Sequence, residues 1–371
     1  MAITPLDNLL SVDTLTGLIK TFAEQGDNRS CTALFARVGR PLIPLGDSAS
    51  WDELEFSRHL APVTGEDSPH SRARLLKTRK RSSTMAYVKA YKDLPASHLF
   101  LNRAPGSDMS DAQAILATEL QDLANLIANT KEFLATGALL GLIDVNPATV
   151  PGSEVSFTVD FKNAKLAALA SWADKATKIR SEEMLRVKQA FRDQSGLMAE
   201  IGITEPSVEG MLVKNDELRE FAKEPLGIAV IRNLNLQGTN PQWDVLAGLS
   251  LRFTDGTYKP EGGPVTRYFP AGKLLVLPGE ERLNQVLGWA EGKVYVPAGP
   301  VYGDVARATS MIRELRGSYA YAEVRTDPMG IRIYAGWHGL PVVLNPNAVL
   351  VYDVAPAMAA PTPAPGPGPA P

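Results

Sequence analysis

The chain has 371 residues, 44% of them hydrophobic and 21% charged, the make-up of a globular protein long enough for one large or two smaller domains. Its 38 Lys and Arg against 41 Asp and Glu give a formal net charge of -3, so the surface as a whole is not drawn to a polyanion. Met1–Leu10 has no cationic stretch followed by an apolar one, no run of about eighteen apolar residues occurs, and Cys31 is the sole cysteine. Secretion, membrane spanning and an intrachain disulfide are therefore not expected, and a reducing cytoplasm suits the chain.

Residues 4–35 mix polar and apolar side chains, after which "GRPLIPLG" (39–46) reads as an extended, turn-punctuated arm expected to pack on something other than its own core. "WDELEFSRHLAPV" (51–63) alternates apolar Leu54 and Phe56 with charged Glu53 and Glu55, and "STMAYVKAY" (83–91) is rich in strand formers. These two strands flank a turn at 65–69 and the basic run "SRARLLKTRKRSST" (71–84), making a long hairpin-like excursion. Five acids and one Arg fall in residues 51–70, whereas residues 71–92 hold eight bases and no acid.

The basic run, Arg72, Arg74, Lys77, Arg79, Lys80 and Arg81, has three readings. It can grip nucleic acid by displacing counterions, with strong salt dependence and little sequence preference. It can be a solvated loop. It can pair with acids on a neighbouring copy of the same chain, and the charge split between the two halves of the excursion favours this third reading. Exposed pairs contribute only ~0–1 kcal/mol each, so they would set register between copies more than stability.

Residues 110–137 predict the clearest helix, with Leu116, Leu120, Leu123, Ile127 and Leu134 on one stripe, a capping box at Ser110 and Gln113, and Gly137 as the stop. Roughly 26 residues at ~1.5 Å each make a rod of about 40 Å. "VSFTVDF" (155–161) predicts a strand, residues 164–178 and 182–194 predict helices, and a short helix is expected over 208–222. From Ile228 the pattern turns to short strands: "IAVIRNLNL", "GLSLRF", "VTRYFPAGKLLVLPG", "KVYVPAG", "SYAYAEVRTDPMGIRIYAGW" and "LPVVLNPNAVLVYDV". Asp327–Gly330 reads as a hairpin turn, with Pro at a turn position and Gly relieving a positive φ. Residues 355–371 hold seven Pro, six Ala and no charge, predicting an extended, disordered, polyproline-like tail. The class is mixed α+β.

Catalytic chemistry finds little support. The four histidines, His59, His70, His98 and His338, have no metal-ligand spacing, and no phosphate loop, nucleophile elbow or dinucleotide fingerprint occurs. Glu182 and Glu183 fit a helix first turn, where the macrodipole accounts for them. Cys31 lacks a motif-defined base and reads as a buried structural thiol. Trp172, Trp243, Trp289 and Trp337 read as core or interface anchors. No catalytic, cofactor-binding or metal residues are assigned, and no cofactor is expected.

The order of parts resembles the major capsid protein of tailed phages, and more narrowly the lambda-type capsid protein E family. The resemblance is carried by "LDNLLSVDTLTGLIKTF", similar to the family's opening helix-and-arm segment, by "HLAPVTGED" and "MAYVKAYKDL" in the excursion, and by "FLATGALLGLIDV" where the rod gives way to a strand. "VSFTVDF" followed by Trp172, and "TDPMGIRIYAGWHGLPVVLNPNAVLVYDV" near the end, continue it in order, so that it covers residues 5–354. The proline-rich segment departs from the pattern, and the basic run is denser than the family's.

The resemblance implies the Hong Kong 97-like phage capsid fold: an N-terminal arm (1–50), an extended β-hairpin loop, the E-loop (51–104), a spine helix with peripheral-domain (P-domain) strands (105–163), an axial domain (A-domain, 164–317), a P-domain β-hairpin (318–338) and a return strand to the A-domain (339–354). It implies a non-enzymatic virion protein that self-assembles into hexamers and pentamers in the host cytoplasm, with a scaffold, a portal and a decoration protein as partners and packaged double-stranded DNA nearby. The six cations of the basic run are then expected to contact acids of a neighbouring subunit. An encapsulin-like nanocompartment shell, or a nucleic-acid-binding protein using residues 72–81, remain the alternatives.

Overall fold

The structure is a computed structural model of the chain and describes residues 10–24, 30–44, 46–54, 78–97, 108–147, 149–150, 153–223, 243–246, 248–260, 263–297, 301–302 and 312–355. These form two compact units, one drawn from residues 1–162, 256–268 and 280–346, the other from 163–255, 269–279 and 347–371.

The first unit opens with α1 (Val12–Glu24), α2 (Ser30–Val38) and β1 (Arg40–Leu42), then β2 (Ser48–Leu54), β3 (Thr78–Thr84) and β4 (Ala86–Pro95). The long helix α3 (Asp108–Leu140), β5 (Leu142–Val145) and β6 (Phe157–Asp160) follow. The second unit contributes β7 (Ala164–Ala167), α4 (Met184–Ser195), β8 (Ala199–Thr204), α5 (Pro206–Lys214), α6 (Asp216–Lys223), β9 (Trp243–Leu246) and β10 (Leu249–Phe253). β11 (Thr257–Tyr258) and β12 (Thr266–Arg267) belong to the first unit and β13 (Lys273–Pro278) to the second. β14 (Leu287–Glu291), β15 (Lys293–Pro297), β16 (Val301–Tyr302), β17 (Ile312–Arg316), β18 (Ser318–Thr326) and β19 (Met329–Val343) return to the first unit, and β20 (Leu350–Asp353) lies in the second.

The first unit is organised by β19. β18 pairs antiparallel with residues 329–337 and β4 with residues 330–339, so these two strands occupy opposite edges. At His338 the edge held by β18 changes hands: its N–H donates to the Gly317 carbonyl (3.2 Å) and its own carbonyl accepts from the Gly292 N–H (3.0 Å). β14 then takes residues 339–343. Between Gly292 and Gly317 the chain leaves as the β15–β17 ribbon, and Gly317 adopts φ +71°, a left-handed backbone that a side chain would strain.

One face of this sheet buries Ile331, Ile333, Ala335 and Trp337, and Lys131 of α3 lies over the Trp337 ring at 5.2 Å. The expected stripe of Leu116, Leu120, Leu123, Ile127 and Leu134 on α3 is buried throughout. A 33-residue helix spans ~50 Å, and packing of such a stripe rather than propensity holds it. Gly137 does not stop it: a Cβ there would stand 2.9 Å from the Leu142 carbonyl, so the small residue serves the returning chain, and the helix ends before Gly141, whose φ is +97°. The side chains of Ser110 and Gln113 lie outside the described residues.

The N-terminal elements are tied to this frame by buried polar groups. Glu132 of α3 accepts the N–H groups of Cys31 (3.0 Å) and Thr32 (2.7 Å), so a carboxylate of one helix satisfies the unpaired N-terminal donors of α2. Thr16 of α1 exchanges hydrogen bonds with the backbone of Ala320. The arm at 39–46, expected from its Gly and Pro to pack on something other than its own core, instead adds β1 parallel to β14 in the same sheet. Its partner lies some 250 residues away, beyond what a local pattern shows.

The second unit holds a mixed sheet of order β7-β20-β13-β8-β10-β9. Residues 164–178 are not a helix: β7 pairs parallel with β20, and the chain then turns so that Ala168 and Trp172 enter the core. Long-range pairing overrides the helical propensity of this Ala-rich stretch. The helix expected at 208–222 is two helices, α5 and α6, divided at Asn215. Asn215 is buried, donating to the carbonyls of Lys175 (3.1 Å) and Thr177 (2.7 Å) and accepting from the Leu218 N–H (3.1 Å). Residues 256–268 and 280–317, expected within a central segment 164–317, fold with the first unit, and β19 runs past the expected boundary at 338.

Glu183 joins three parts of the second unit. It lies in the π-helical turn Ile179–Glu183 before α4 and accepts from the Leu169 N–H (3.0 Å), the Tyr352 hydroxyl (2.7 Å) and Arg186 (2.9 Å). Burial pushes its carboxyl up, but those donors outweigh burial and hold it below its ordinary value. Contact with the macrodipole is therefore the lesser part of its role, whereas Glu182 pairs with Lys178 at 3.2 Å on the surface.

Glu132→Ala leaves the α2 donors without an acceptor and is expected to lower unfolding free energy by about 2 kcal/mol in denaturant titrations. Tyr352→Phe should cost about 2 kcal/mol at neutral pH. Because the Glu183 value is depressed on folding, its contribution is full above the ordinary carboxylate pKa of ~4.3 and fades as pH falls through the folded value. The Tyr352→Phe deficit should shrink over that acidic range, and a deficit constant with pH would refute the linkage.

Candidate functional site

Two surfaces of the first unit stand out. The first is the ribbon formed by β2 and β3, which pair antiparallel with Trp51 opposite Arg81, Asp52 opposite Lys80 and Glu53 opposite Arg79. The acidic strand thus lies against the basic strand of the same chain, an arrangement that favours this register. Arg81 is half-buried: its Nε stands 2.5 Å from Glu53 Oε1, and it donates to the Asp160 carbonyl of β6 at 2.8 Å. Trp51, buried on the same ribbon, packs against Phe161 with ring centroids 6.0 Å apart.

Arg79 and Lys80 are exposed and make no ion pair among the described residues. Of the six cations singled out from the sequence, Arg81 is therefore engaged within its own chain, Arg79 and Lys80 face outward, and Arg72, Arg74 and Lys77 lie outside the described residues.

The second surface is the sheet face opposite α3, where tyrosines from three strands line up. Tyr91, Tyr334 and Tyr321 are in-register neighbours on β4, β19 and β18, with centroids 6.0 Å and 4.6 Å apart. Tyr319 stacks beside Tyr321 at 6.4 Å, Tyr87 meets Tyr319 at 6.3 Å, and His338 meets Tyr87 at 4.8 Å. The Arg332 guanidinium lies 4.5 Å over Tyr91 and pairs with Asp93 at 2.5 and 2.8 Å. Lys89 covers Tyr87 at 4.4 Å. Burial, then Tyr334 and Glu323, push the Tyr321 hydroxyl up to about 12, so this ring stays neutral at physiological pH.

Lys92, on the other face of β4, pairs with Glu119 (2.6 Å) and Asp122 of α3. Burial alone would lower its pKa, but the two carboxylates raise it. This pairing fastens the free edge of the sheet to the long helix.

The remaining sequence candidates have structural surroundings. Cys31 is buried, and burial followed by the Glu132 charge raises its thiol well above the ordinary value, against nucleophilic use. His338 is buried, with Nδ1 3.1 Å from the Lys293 carbonyl, while His59, His70 and His98 lie outside the described residues. Among the described residues no three His, Cys, Asp or Glu side chains gather as a metal site requires. Trp172 and Trp337 are buried anchors, Trp289 is half-buried, and the Trp243 side chain lies outside the description. Gly330 follows the cis Asp327–Pro328 bond but has no positive φ; its Cβ would stand 2.5 Å from the Leu94 carbonyl, so it is glycine to let β4 approach.

The tyrosine face was not singled out from the sequence. Its signal was the period-2 spacing in "AYVKAY", "SYAYAEV" and "IRIYAGW", which puts each set on one face, although nothing local says which sets meet.

Against known proteins, a family model described as phage major capsid protein E matches residues 47–351. No curated protein matches the chain in sequence. Among solved structures, a prophage protein of E. coli CFT073 described as a capsid protein superposes with a TM-score of 0.57 at 15% identity, covering 92% of this chain and 99% of that one. A phage-related protein from Bordetella bronchiseptica RB50 gives 0.48 at 10% identity, covering 94% and 99%. A virus-like particle from Pyrococcus furiosus gives 0.47 at 11%, covering 92% and 98%.

Because Arg81 is paired within its own chain and its two neighbours are not, Arg81→Ala should lower the stability of the folded chain by about 2 kcal/mol. Lys80→Ala should stay within ~0.5 kcal/mol of the parent. Chemical denaturation of both variants under non-assembling conditions checks the contrast.

Proposed function

The chain belongs to the phage major capsid protein E family, and on that premise we propose how its parts divide the work of building a shell. It is a structural, non-enzymatic component of the virion, the major capsid protein of an icosahedral head with the Hong Kong 97-like fold. The reading proposed for its parts starts from the division into two units. The first, with the long helix α3 and the β19 sheet, serves as the peripheral domain and its spine; the second serves as the axial domain turned toward the capsomer centre. Residues 51–104 act as the extended loop that lies over the adjacent subunit.

The observation that supports this most is the β2–β3 ribbon, whose register is already held within the chain while Arg79 and Lys80 remain exposed. Such surplus cations are suited to acids of a neighbouring copy, where they fix register and exclude wrong partners more than they add affinity. Arg72, Arg74 and Lys77 are proposed to extend the same contact, and Arg81 to shape the ribbon that presents it. Copies assemble as hexamers and pentamers in the host cytoplasm, with a scaffold and a portal as partners, around double-stranded DNA. The net charge of -3 favours DNA as enclosed cargo rather than as a ligand gripped by the whole surface.

Negative-stain imaging of the expressed protein should show ring-shaped capsomers or closed shells, and a uniform 40.0 kDa monomer under all conditions would overturn the reading. The combined charge reversal Arg72→Glu, Arg74→Glu and Lys77→Glu, which leaves the opposition of Asp52 to Lys80 and Glu53 to Arg79 intact, should abolish capsomers while circular dichroism still reports a folded chain. Capsomers that persist in this variant would sink the intersubunit role of the basic run.

A further inference from the structure

The core accounts for one end of the tyrosine face, where Tyr319 is buried with Val12 of α1 and Val294 and Val296 of β15 and Tyr321 packs against them, while the apolar residues of β19 bury on the opposite side of the sheet. It is also only partly covered: Tyr91 is 58% and Tyr87 44% exposed, with Tyr334 and Tyr321 half-buried between and beside them. The strands that present these rings have a fixed spacing, although the ring centroids themselves stand 6.0 and 4.6 Å apart. Tyr91 and Tyr321 stand on either side of Tyr334, two strand spacings apart, which is ~9.6 Å at about 4.8 Å per spacing. A polyproline II helix repeats every three residues, ~9.3 Å at about 3.1 Å per residue. Side chains along one edge of such a helix therefore match alternate rings of the ladder.

The chain itself contains a segment with that expected conformation. Residues 356–371 hold seven prolines, alternating with small residues from Pro361 to Pro371, and carry no charge. Proline-rich segments dock on aromatic surfaces because their conformation is set before binding and little entropy is lost. The ladder's own charges are largely engaged, Arg332 with Asp93 and Glu323 with the Tyr334 hydroxyl at 2.7 Å, while Lys89 lies over the Tyr87 ring, and an uncharged segment meets none of them with a like charge. From the end of β20 at Asp353 such a segment reaches ~50 Å, enough to pass from one copy to the next in an assembly.

We propose that the ladder of Tyr91, Tyr334, Tyr321 and Tyr87 is a polyproline-docking surface whose occupant is the segment 356–371 of a second copy of this chain. Docking of this kind adds a weak contact repeated at every subunit, and many such contacts in a closed assembly act together. The inference rests on copies standing side by side in capsomers, as the proposed function has them.

The test replaces Tyr91 with the photo-crosslinker p-benzoylphenylalanine in the full chain and assembles it with an excess of isotopically heavy, unmodified copies. After illumination, mass spectrometry should find residue 91 of the light chain joined to heavy residues 356–371. Imaging of the same sample separates the two readings: capsomers without that adduct, or with adducts only to light segments, overturn the docking inference alone. Where no capsomers form, the proposed function is what has failed, and docking is decided by titrating the full chain with a synthetic peptide of residues 356–371. Binding that Tyr91→Ala weakens about tenfold supports it, and no binding, or binding indifferent to Tyr91→Ala, overturns it. Independently, Pro361→Ala, Pro363→Ala, Pro365→Ala and Pro367→Ala together should make Tyr91 several-fold more reactive to nitration in assembled samples. Unchanged reactivity counts against docking.

Discussion

One strand carries the first unit. β19 is fifteen residues long and is paired along both edges, by β18 and then β14 on one side and by β4 on the other. Its first half alternates between a face packed inward and a face of tyrosine and arginine, whereas from Ala335 to Val343 every residue is buried. The second half therefore demands apolar or small residues on both faces, and "AGWHGLPVV" supplies them with a single polar exception. That exception, His338, sits where the two neighbouring strands change over, and its ring nitrogen and both backbone groups are all engaged. A buried polar residue fully satisfied at a junction specifies which strands meet there.

Buried and half-buried carboxylates act as joints elsewhere. Glu132 holds α2 to α3, Glu183 holds the Leu169 and Arg186 region to β20, and Glu217 accepts the N–H groups of Arg180 and Ser181 at 2.8 and 3.0 Å. Glu132 and Glu217 satisfy backbone donors at a helical start, where both the orphan N–H groups and the positive end of the dipole favour an acid, whereas Glu183 takes its backbone donor, Leu169, from the bend after β7. For Glu183 the donors hold the carboxyl below its ordinary value, which is unlike the raised carboxylate of a general acid or base. Glu183, the acid among these that the sequence analysis weighed, is thus spent on holding the chain in place, in keeping with a structural protein.

How much of this was legible depended on the distance over which each element is decided. The stripe on α3 and the β18–β19 hairpin are local, and residues such as Leu120, Ile127 and Tyr334 announce their faces by spacing alone. β1 and β7 are decided by partners far along the chain: Arg40–Leu42 lies on β14, and Ala164–Ala167 on β20. Their sequences are permissive, one punctuated by Gly and Pro, the other Ala-rich, so tertiary pairing chose the conformation. Gly137 and Gly330 misled for a related reason. A glycine required for close approach looks in sequence like one required for a turn, and only the neighbouring Leu142 and Leu94 carbonyls tell them apart. The basic run was visible as composition, but the sequence could not say that Arg81 would turn to Glu53 and Asp160.

That division within the basic run bears on how a charged excursion can serve an assembly. If every cation of β3 were matched inside the ribbon, the loop would present a neutral surface with nothing to choose a neighbour; if none were matched, like charges in adjacent positions would strain the ribbon itself. Opposing Asp52 to Lys80 and Glu53 to Arg79 across the ladder, with Arg81 closed onto Glu53, fixes the strand register in each copy before any neighbour arrives. Exposed pairs are worth ~0–1 kcal/mol each, so in the proposed assembly pairs between copies would be too weak to hold a shell together but, repeated around a ring, would penalise a misaligned copy. The apolar burial along α3 and β19 then supplies stability within the chain, and in the proposed assembly the charge left over at the ribbon would supply selectivity between chains.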